Sequence, residues 1–279
     1  MRIDAHIHLY DPSAGNFEWP TPDTPLYRKV TPADFVQTAA SAGITQAVVV
    51  ACTTQPEQTK LILQTMHEDP AVAAVIGFID ADSPDFKACY DEFCRYAKFR
   101  GFRFLCDKEP TAQTKSNAAY VAGKPANVLE FLGEFTGMAK FRGLIEDNPD
   151  VTFIIEHFAR MQTDARTLTR EYRQFIDDMA AHGNVYMKLS ALIPLAGADP
   201  APTDAACYET LLETVFHAFG EDRCLFGSDW PLLELKGDYE DAVEITETFL
   251  RAQSNAALEK VMYLNALNVY RVQRRGANE

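Results

Sequence analysis

Two histidines stand two residues apart near the start of the chain, in Asp4-Ala5-His6-Ile7-His8. Side chains two apart on a β-strand point to one face, so both imidazoles should look the same way. Paired neutral imidazoles at a strand end suit a divalent cation or the polarisation of a carbonyl. A third histidine ends the apolar run Phe153-Ile154-Ile155-Glu156-His157, and a carboxylate follows the run Cys224-Leu225-Phe226-Gly227-Ser228-Asp229. Singly, each has a plain structural reading: polar strand ends for the histidines, a helix cap or turn for Asp229. Together, His6, His8, His157 and Asp229 offer metal-type and acid–base side chains: imidazoles that can bind a cation or polarise a carbonyl, and a carboxylate that can take up and return a proton.

Residues so far apart in the chain cooperate only if the fold gathers them. Eight short apolar segments alternate with stretches of helical periodicity, at 2–9, 44–51, 72–79, 101–105, 127–132, 151–157, 185–189 and 224–228. Such alternation marks a parallel sheet wrapped by helices, and eight strands predict an α/β fold of the (β/α)8 TIM-barrel type. Helices are expected at 32–42, 56–68, 85–98, 138–146, 168–181, 205–218, 239–251 and 256–272. Thr31 and Pro32 read as a helix start, and Gly43 and Gly183 as helix stops. A barrel closes the carboxyl ends of its strands into one ring, so strands one, six and eight should bring the three histidines and Asp229 to a common mouth. Segments 11–30, with Pro12, Pro20, Pro22 and Pro25, and 107–126 read as long loops at that face, where substrate walls sit. Without repeats or an interdomain linker, residues 1–279 read as one domain.

Composition limits the partners. Forty acidic against 26 basic side chains leave a net charge of −14, which repels phosphate backbones and anionic lipid surfaces. No nucleic acid and no membrane partner is expected, although a few cations inside a pocket would still admit a small anion. No apolar run approaches the ~20 residues of a membrane span, and the first residues lack the blocks of a signal peptide, so a cytoplasmic protein is expected. Cys52, Cys89, Cys94, Cys106, Cys207 and Cys224 form no Cys-x-x-Cys pair and read as reduced, mostly buried thiols. His67, His182 and His217 fall on expected helices or their ends, away from the mouth.

His6-Ile7-His8, Gly101-Phe102-Arg103, Glu156-His157, Lys188-Leu189-Ser190 and Gly227-Ser228-Asp229-Trp230-Pro231, on expected strands one, four, six, seven and eight, resemble the amidohydrolase superfamily. The resemblance is to the branch containing sugar-lactone and 2-pyrone-4,6-dicarboxylate lactonases, and it runs from Ile3 to the last helices. It implies a hydrolase of carbohydrate catabolism that opens the cyclic ester of a sugar acid or related carboxylic acid. One divalent metal, Zn2+ before others, or none is implied, with His6, His8, His157 and Asp229 as the ligands. Asp229 would take a proton from the attacking water and return it to the ring oxygen. Two-metal members of the superfamily use a strand-four lysine and a strand-five histidine; 101–105 lacks the first and 127–132 the second, so a binuclear centre is not expected. Glu156 stands where the branch usually has Asp, and Glu130 offers a carboxylate from strand five; the roles of both stay open.

Arg103 and Lys188 are expected to bind substrate carboxylate or hydroxyl groups, with an internal ion pair to Glu130 or Glu156 as the competing use of each. Trp19 is similar to the aromatic wall of sugar-lactone members, or else anchors its loop. Ser190 and Trp230 are read as shaping the pocket. Two other readings stay open: a metal-dependent decarboxylase of an unsaturated or aromatic acid, and a barrel that binds a ligand without chemistry. The expected partner is a small molecule, a lactone or carboxylate, and a homo-oligomer is allowed.

Overall fold

The computed structural model describes residues 1–15 and 17–273. Eight parallel strands follow one another in chain order: β1 (Ile3–Ile7), β2 (Gln46–Val50), β3 (Val72–Phe78), β4 (Phe99–Leu105), β5 (Val128–Leu132), β6 (Thr152–Ile155), β7 (Val185–Ser190) and β8 (Cys224–Gly227). They are rich in Val, Ile, Leu and Phe because a strand covered on both faces needs apolar side chains on both. β8 returns to β1 through a parallel bridge between Ile7 and Trp230, so the sheet forms a nearly closed barrel. His8 N–H donates to Trp230 O at 2.8 Å and Asp229 N–H to His6 O at 3.0 Å. Asp4 ties this seam: its Oδ1 accepts from His6 N–H and Ser228 N–H, both at 3.0 Å, and its Oδ2 from Tyr239 Oη at 2.9 Å. The closing contacts therefore fall on residues beside the histidines and Asp229.

The outer layer comprises α1 (Pro32–Ala39), α2 (Pro56–Thr65), α3 (Phe86–Phe93), α4 (Ala112–Val121), α5 (Phe135–Met138), α6 (Arg142–Glu146), α7 (Arg170–Ala180), α8 (Glu209–Phe219), α9 (Tyr239–Gln253), α10 (Asn255–Glu259) and α11 (Asn265–Val269). α1 starts in a capping box between Thr31 and Asp34, with Pro32 in its first turn. α7 buries Tyr172, Phe175, Ile176 and Met179, the i, i+3, i+4, i+7 stripe of a helix with one apolar face.

Along β4 to β7 the alternate residues Phe102, Phe104, Phe131, Phe153 and Met187 pack outward against helices. Inside the barrel an apolar cluster holds Ile3, Val50, Ile76, Val128, Ile154 and Leu225, sealed by Leu267 and Tyr270 at the end of α11. Strand alternation leaves the remaining inward positions to Arg103, Glu130, Glu156, Lys188 and Ser190, all buried. β1 departs from strict alternation. Ile3 and Ala5 pack inside while Ile7 and Leu9 pack outside, and its register shifts between Asp4 and Ile7. A bulge re-aims side chains, and this one admits His6 and His8 to the interior.

Several expectations need correction. Segment 107–126 is no simple loop, since it contains α4, capped by Thr111 and Thr114. That helix buries only Thr114, Asn117, Ala118 and Val121, so no strong apolar stripe announces it. His157 lies beyond β6, which ends at Ile155. α3 stops at Phe93, 138–146 is broken by a 3-10 turn at Ala139–Phe141, and 256–272 by a π-helical turn at Lys260–Leu264. Cys106 and Cys224 are buried, Cys207 is exposed and the other three are half-buried. Among the described residues no helix is long and apolar enough to cross a membrane. Segment 11–30 carries a 3-10 turn, Pro12–Ala14, and runs along the barrel mouth; Asn16 lies outside the described residues.

Candidate active site

Each residue at the end of β8 has a physical task. A Cβ on Gly227 would meet His6 Cβ at 2.7 Å and Ser190 Cβ at 3.0 Å, so only glycine leaves room for His6 against the seam. Ser228 Oγ accepts from Trp230 N–H at 3.0 Å. Asp229 adopts φ 67, a left-handed conformation that Asp tolerates better than most residues, and its carboxylate faces His6 and His8. Trp230 is buried against Phe35, its Nε1 donating to Glu234 Oε1 at 2.6 Å. It anchors the turn and does not line the cavity, which corrects its expected part in shaping the pocket.

The three histidines and Asp229 meet in one place. His8 Nε2 lies 3.2 Å and His6 Nε2 3.5 Å from Asp229 Oδ1. The rings of His6 and His157 are 4.4 Å apart, those of His6 and His8 5.0 Å. His8 Nδ1 donates to Val50 O at 2.7 Å, which turns Nε2 toward Asp229. Asp229 Oδ1, 3.2 Å from His8 Nε2, is a buried oxygen without a hydrogen-bond partner among the described residues. Donor atoms of His6, His157 and Asp229 lie within 4.8 Å of one another, with His8 beside them, so the donor set fits a divalent metal ion.

Charge in the site is unevenly placed. Burial pushes His157 down to about 4, and holds His6 well below its ordinary value with Lys188, His157 and Arg103 adding repulsion. Both rings are neutral at pH 7. Burial also works against the Asp229 anion, but His157, His8 and Arg103 outweigh it and hold the carboxyl below its ordinary value. Glu156 behaves likewise, its burial overcome chiefly by Arg103. Glu130 is pushed up to about 7 by burial, against the pull of Lys188 and with repulsion from Glu156.

His157 opens an unusual turn. Residues His157–Arg160 take φ 52, 54, 54 and 57, a complete left-handed turn without glycine. Each such residue costs ~1–2 kcal/mol relative to the right-handed form. The turn persists because its surroundings over-determine it: Phe158 and Ala159 are buried, Tyr172 Oη donates to Phe158 O at 3.0 Å, and Ser190 Oγ accepts from His157 N–H at 3.3 Å. Ser190 Oγ also lies 2.9 Å from His157 Nδ1, so it orients the ring rather than the pocket wall. We expect Ala159→Gly to stabilise the protein by about 1 kcal/mol, seen as a melting temperature higher by roughly 2–4 °C. No gain, with folding otherwise normal, would show that the turn stores no strain there.

The expected substrate donors are partly committed elsewhere. Arg103 forks onto Glu156, Nε at 2.9 Å from both oxygens and Nη2 at 2.8 Å from Oε2, although its side chain still borders the cavity. Lys188 does not reach the mouth. It is 0% exposed, and its Nζ lies 2.5 Å from Glu130 Oε2 and 3.2 Å from His6 Nδ1. The sequence offered Glu130 or Glu156 as partner to each cation, and only the placing of the strands decides which carboxylate each one takes.

A cavity of about 380 Å³ opens above these groups, with His8, His157, Arg103 and Asp229 on its floor. Trp19 forms one wall, its ring 5.8 Å from that of His8 and 5.3 Å from that of Tyr10. Cys52 borders the floor, but burial pushes its thiol up to about 12, so it is no nucleophile at neutral pH. Sequence reasoning missed Arg160 and Lys236 at the rim and Pro194 and Leu195 in the wall. Arg160, three residues beyond His157, is exposed and enters no ion pair with a described residue. The only sequence signal for it is its closeness to His157, and a left-handed turn without glycine gives that closeness no meaning in advance.

A family model described as amidohydrolase matches residues 3–272. The chain belongs to the amidohydrolase family. It is 28% identical to an L-fucono-1,5-lactonase of Burkholderia ambifaria, over 98% of this chain and 97% of that protein. It is 23% identical to a 2-pyrone-4,6-dicarboxylate hydrolase of Comamonas testosteroni, over 96% of this chain and 89% of that protein. A solved amidohydrolase of Burkholderia multivorans with bound zinc has the same fold, with a TM-score of 0.87 at 22% identity, over 98% of this chain and all of that one.

Proposed function

We propose that this amidohydrolase opens a lactone by water attack, with Asp229 carrying the proton and a 1,5-lactone of a sugar acid as the first substrate to test. The observation that carries the reading is Asp229 itself: a buried, anionic carboxylate with an unbonded oxygen among three neighbouring imidazoles, on the floor of a cavity sized for a small molecule. The lactonase names of two relatives along almost their whole lengths point to the same bond.

Asp229 takes a proton from water as its oxygen bonds to the lactone carbonyl. His157, oriented by Ser190, and His8, fixed by Val50 O, border the carbonyl oxygen on which negative charge develops. When the carbon to ring-oxygen bond breaks, protonated Asp229 returns its proton to that oxygen, and a hydroxy acid leaves. A divalent ion held by His6, His8, His157 and Asp229, with Zn2+ the first to test, would supply Lewis-acid polarisation and a more acidic water. Trp19 offers an apolar face to a sugar ring, and the expected role of Ser190 and Arg103 in substrate binding becomes one of orienting His157 and holding Glu156.

Arg160 is a rim cation without an ion-pair partner among the described residues. We expect Arg160→Gln to raise KM for a carboxylate-bearing lactone about tenfold, the loss of one charge-assisted contact, with kcat and neutral lactones little changed. Equal effects on charged and neutral lactones would remove Arg160 from carboxylate binding. The reading itself is tested with a pH-indicator screen of aldono-1,5-lactones and pyrone carboxylates, run beside a CO2-release assay on unsaturated and aromatic acids. Acid production from a lactone well above the uncatalysed rate supports it. CO2 release without lactone opening, or tight binding without turnover, would replace it with the decarboxylase or the binding-protein reading.

A further inference from the structure

His6 has a surplus of positive neighbours. Lys188 Nζ lies 3.2 Å from its Nδ1, and Arg103 Nη2 3.1 Å from its Nε2. Both neighbours are donors only, whereas a neutral imidazole has one lone pair, so one contact alone can be a hydrogen bond. Arg103 keeps three short contacts to Glu156 whether or not His6 accepts from it. Lys188 is wholly buried, and Glu130 Oε2 is its one other hydrogen-bond partner among the described residues. A buried ammonium left with a single acceptor loses more than a guanidinium that keeps its fork. The lone pair therefore belongs on Nδ1, facing Lys188. The ring proton then sits on Nε2, which points at Asp229 Oδ1 from 3.5 Å.

We propose that Lys188 is a positioning residue: it selects the Nε2–H tautomer of His6, aiming that N–H at Asp229, and so lowers the affinity of the donor set for a divalent metal. Ligation through Nε2 needs the opposite tautomer, with Nδ1–H donating to a carboxylate or carbonyl behind it. Here the Lys188 ammonium, 3.2 Å from Nδ1, stands nearer than the Glu156 carboxylate at 3.8 Å, and its charge also repels a divalent cation. Lys188 is held in turn from the sealed end of the barrel. Tyr270 Oη donates to Glu130 Oε1 at 2.6 Å, and Lys188 donates to the other oxygen of the same carboxylate. One polar chain thus runs from the end of α11 through Glu130, Lys188 and His6 to the proposed proton carrier.

Two measurements test this, and neither depends on which substrate is opened. Histidine 15N spectra of the metal-free wild type, with the His6 signals identified by their loss in His6→Asn, should show a bare Nδ1 and a protonated Nε2. The paired variant Lys188→Met with Glu130→Gln removes both buried charges together. Its zinc affinity, measured by competition with a chromophoric chelator, should exceed that of the wild type ~10–100-fold, the usual reach of a group that orients a ligand. Lys188→Gln with Glu130→Gln, which keeps an N–H donor near Nδ1, should fall between the two. A protonated Nδ1 in the wild type overturns the proposal, as does zinc affinity in the Met/Gln pair within about threefold of wild type. The spectra read the tautomer on the unaltered lysine, so they decide the proposal even where a paired variant fails to fold.

Discussion

Asp229→Asn is expected to lower kcat for lactone opening by ~10²–10⁴-fold, the range of a positioned general acid–base group, with folding preserved. Asn has the same shape and keeps an oxygen toward His8, but it cannot accept a proton from water. Because Asp229 N–H donates to His6 O and Ser228 shapes the turn through backbone contacts, the β1–β8 seam does not depend on the carboxylate charge. Circular dichroism and the melting temperature should therefore stay near wild type while turnover disappears. Near-normal hydrolysis by the variant would take Asp229 out of the mechanism. The pH profile gives a second check on the same residue. The active form needs Asp229 ionised and His157 neutral. Asp229 is held below its ordinary value and His157 is pushed down to about 4, so kcat/KM should stay level as pH falls through 6.5 and decline only near 4 or below. A decline centred on 6 to 7 would instead mark a histidine of ordinary basicity as the base.

Arg103→Met should be the most damaging single change to stability, at ~3–5 kcal/mol, on the order of 10 °C in melting temperature. It leaves the Glu156 carboxylate, 0% exposed, with no guanidinium to neutralise it. Replacing both partners, as Arg103→Met with Glu156→Leu, should restore much of the loss, because the cost is that of an uncompensated charge rather than of a missing attraction. Urea unfolding of the two single variants and the double variant measures this coupling, and additive losses would show that the pair acts independently. The sign of the pH dependence follows from Glu156. Its folded pKa is depressed, so the pair stabilises fully above the ordinary carboxylate range and loses that contribution as pH falls below it.

The eight strands, their parallel order and the helices between them were legible because each leaves a local periodicity, two for a strand and 3.6 for a helix. The placing of β1, β6 and β8 on one ring followed from that periodicity together with barrel closure, but His6 and His8 enter the interior through the bulge in β1 and His157 stands beyond β6. Helix α4 was not legible, because small residues fill its buried face and leave no stripe. The left-handed turn after β6 was not legible either, since none of His157, Phe158, Ala159 or Arg160 favours that conformation alone.

What the amino-acid sequence determined by itself is the inventory: eight strands, and a carboxylate and three imidazoles at or near the ends of three of them. What only the tertiary structure decided is the pairing of charges across strands. Arg103 with Glu156 and Lys188 with Glu130 are chosen by which neighbour lies within hydrogen-bond reach once β4, β5, β6 and β7 stand side by side. A buried cation must satisfy itself with whatever acceptor the neighbouring strand supplies. Lys188, read from the sequence as a substrate donor, is for that reason committed inside the barrel, Arg103 is shared between Glu156 and the cavity, and the rim cation Arg160 is presented by a turn that only packing can hold.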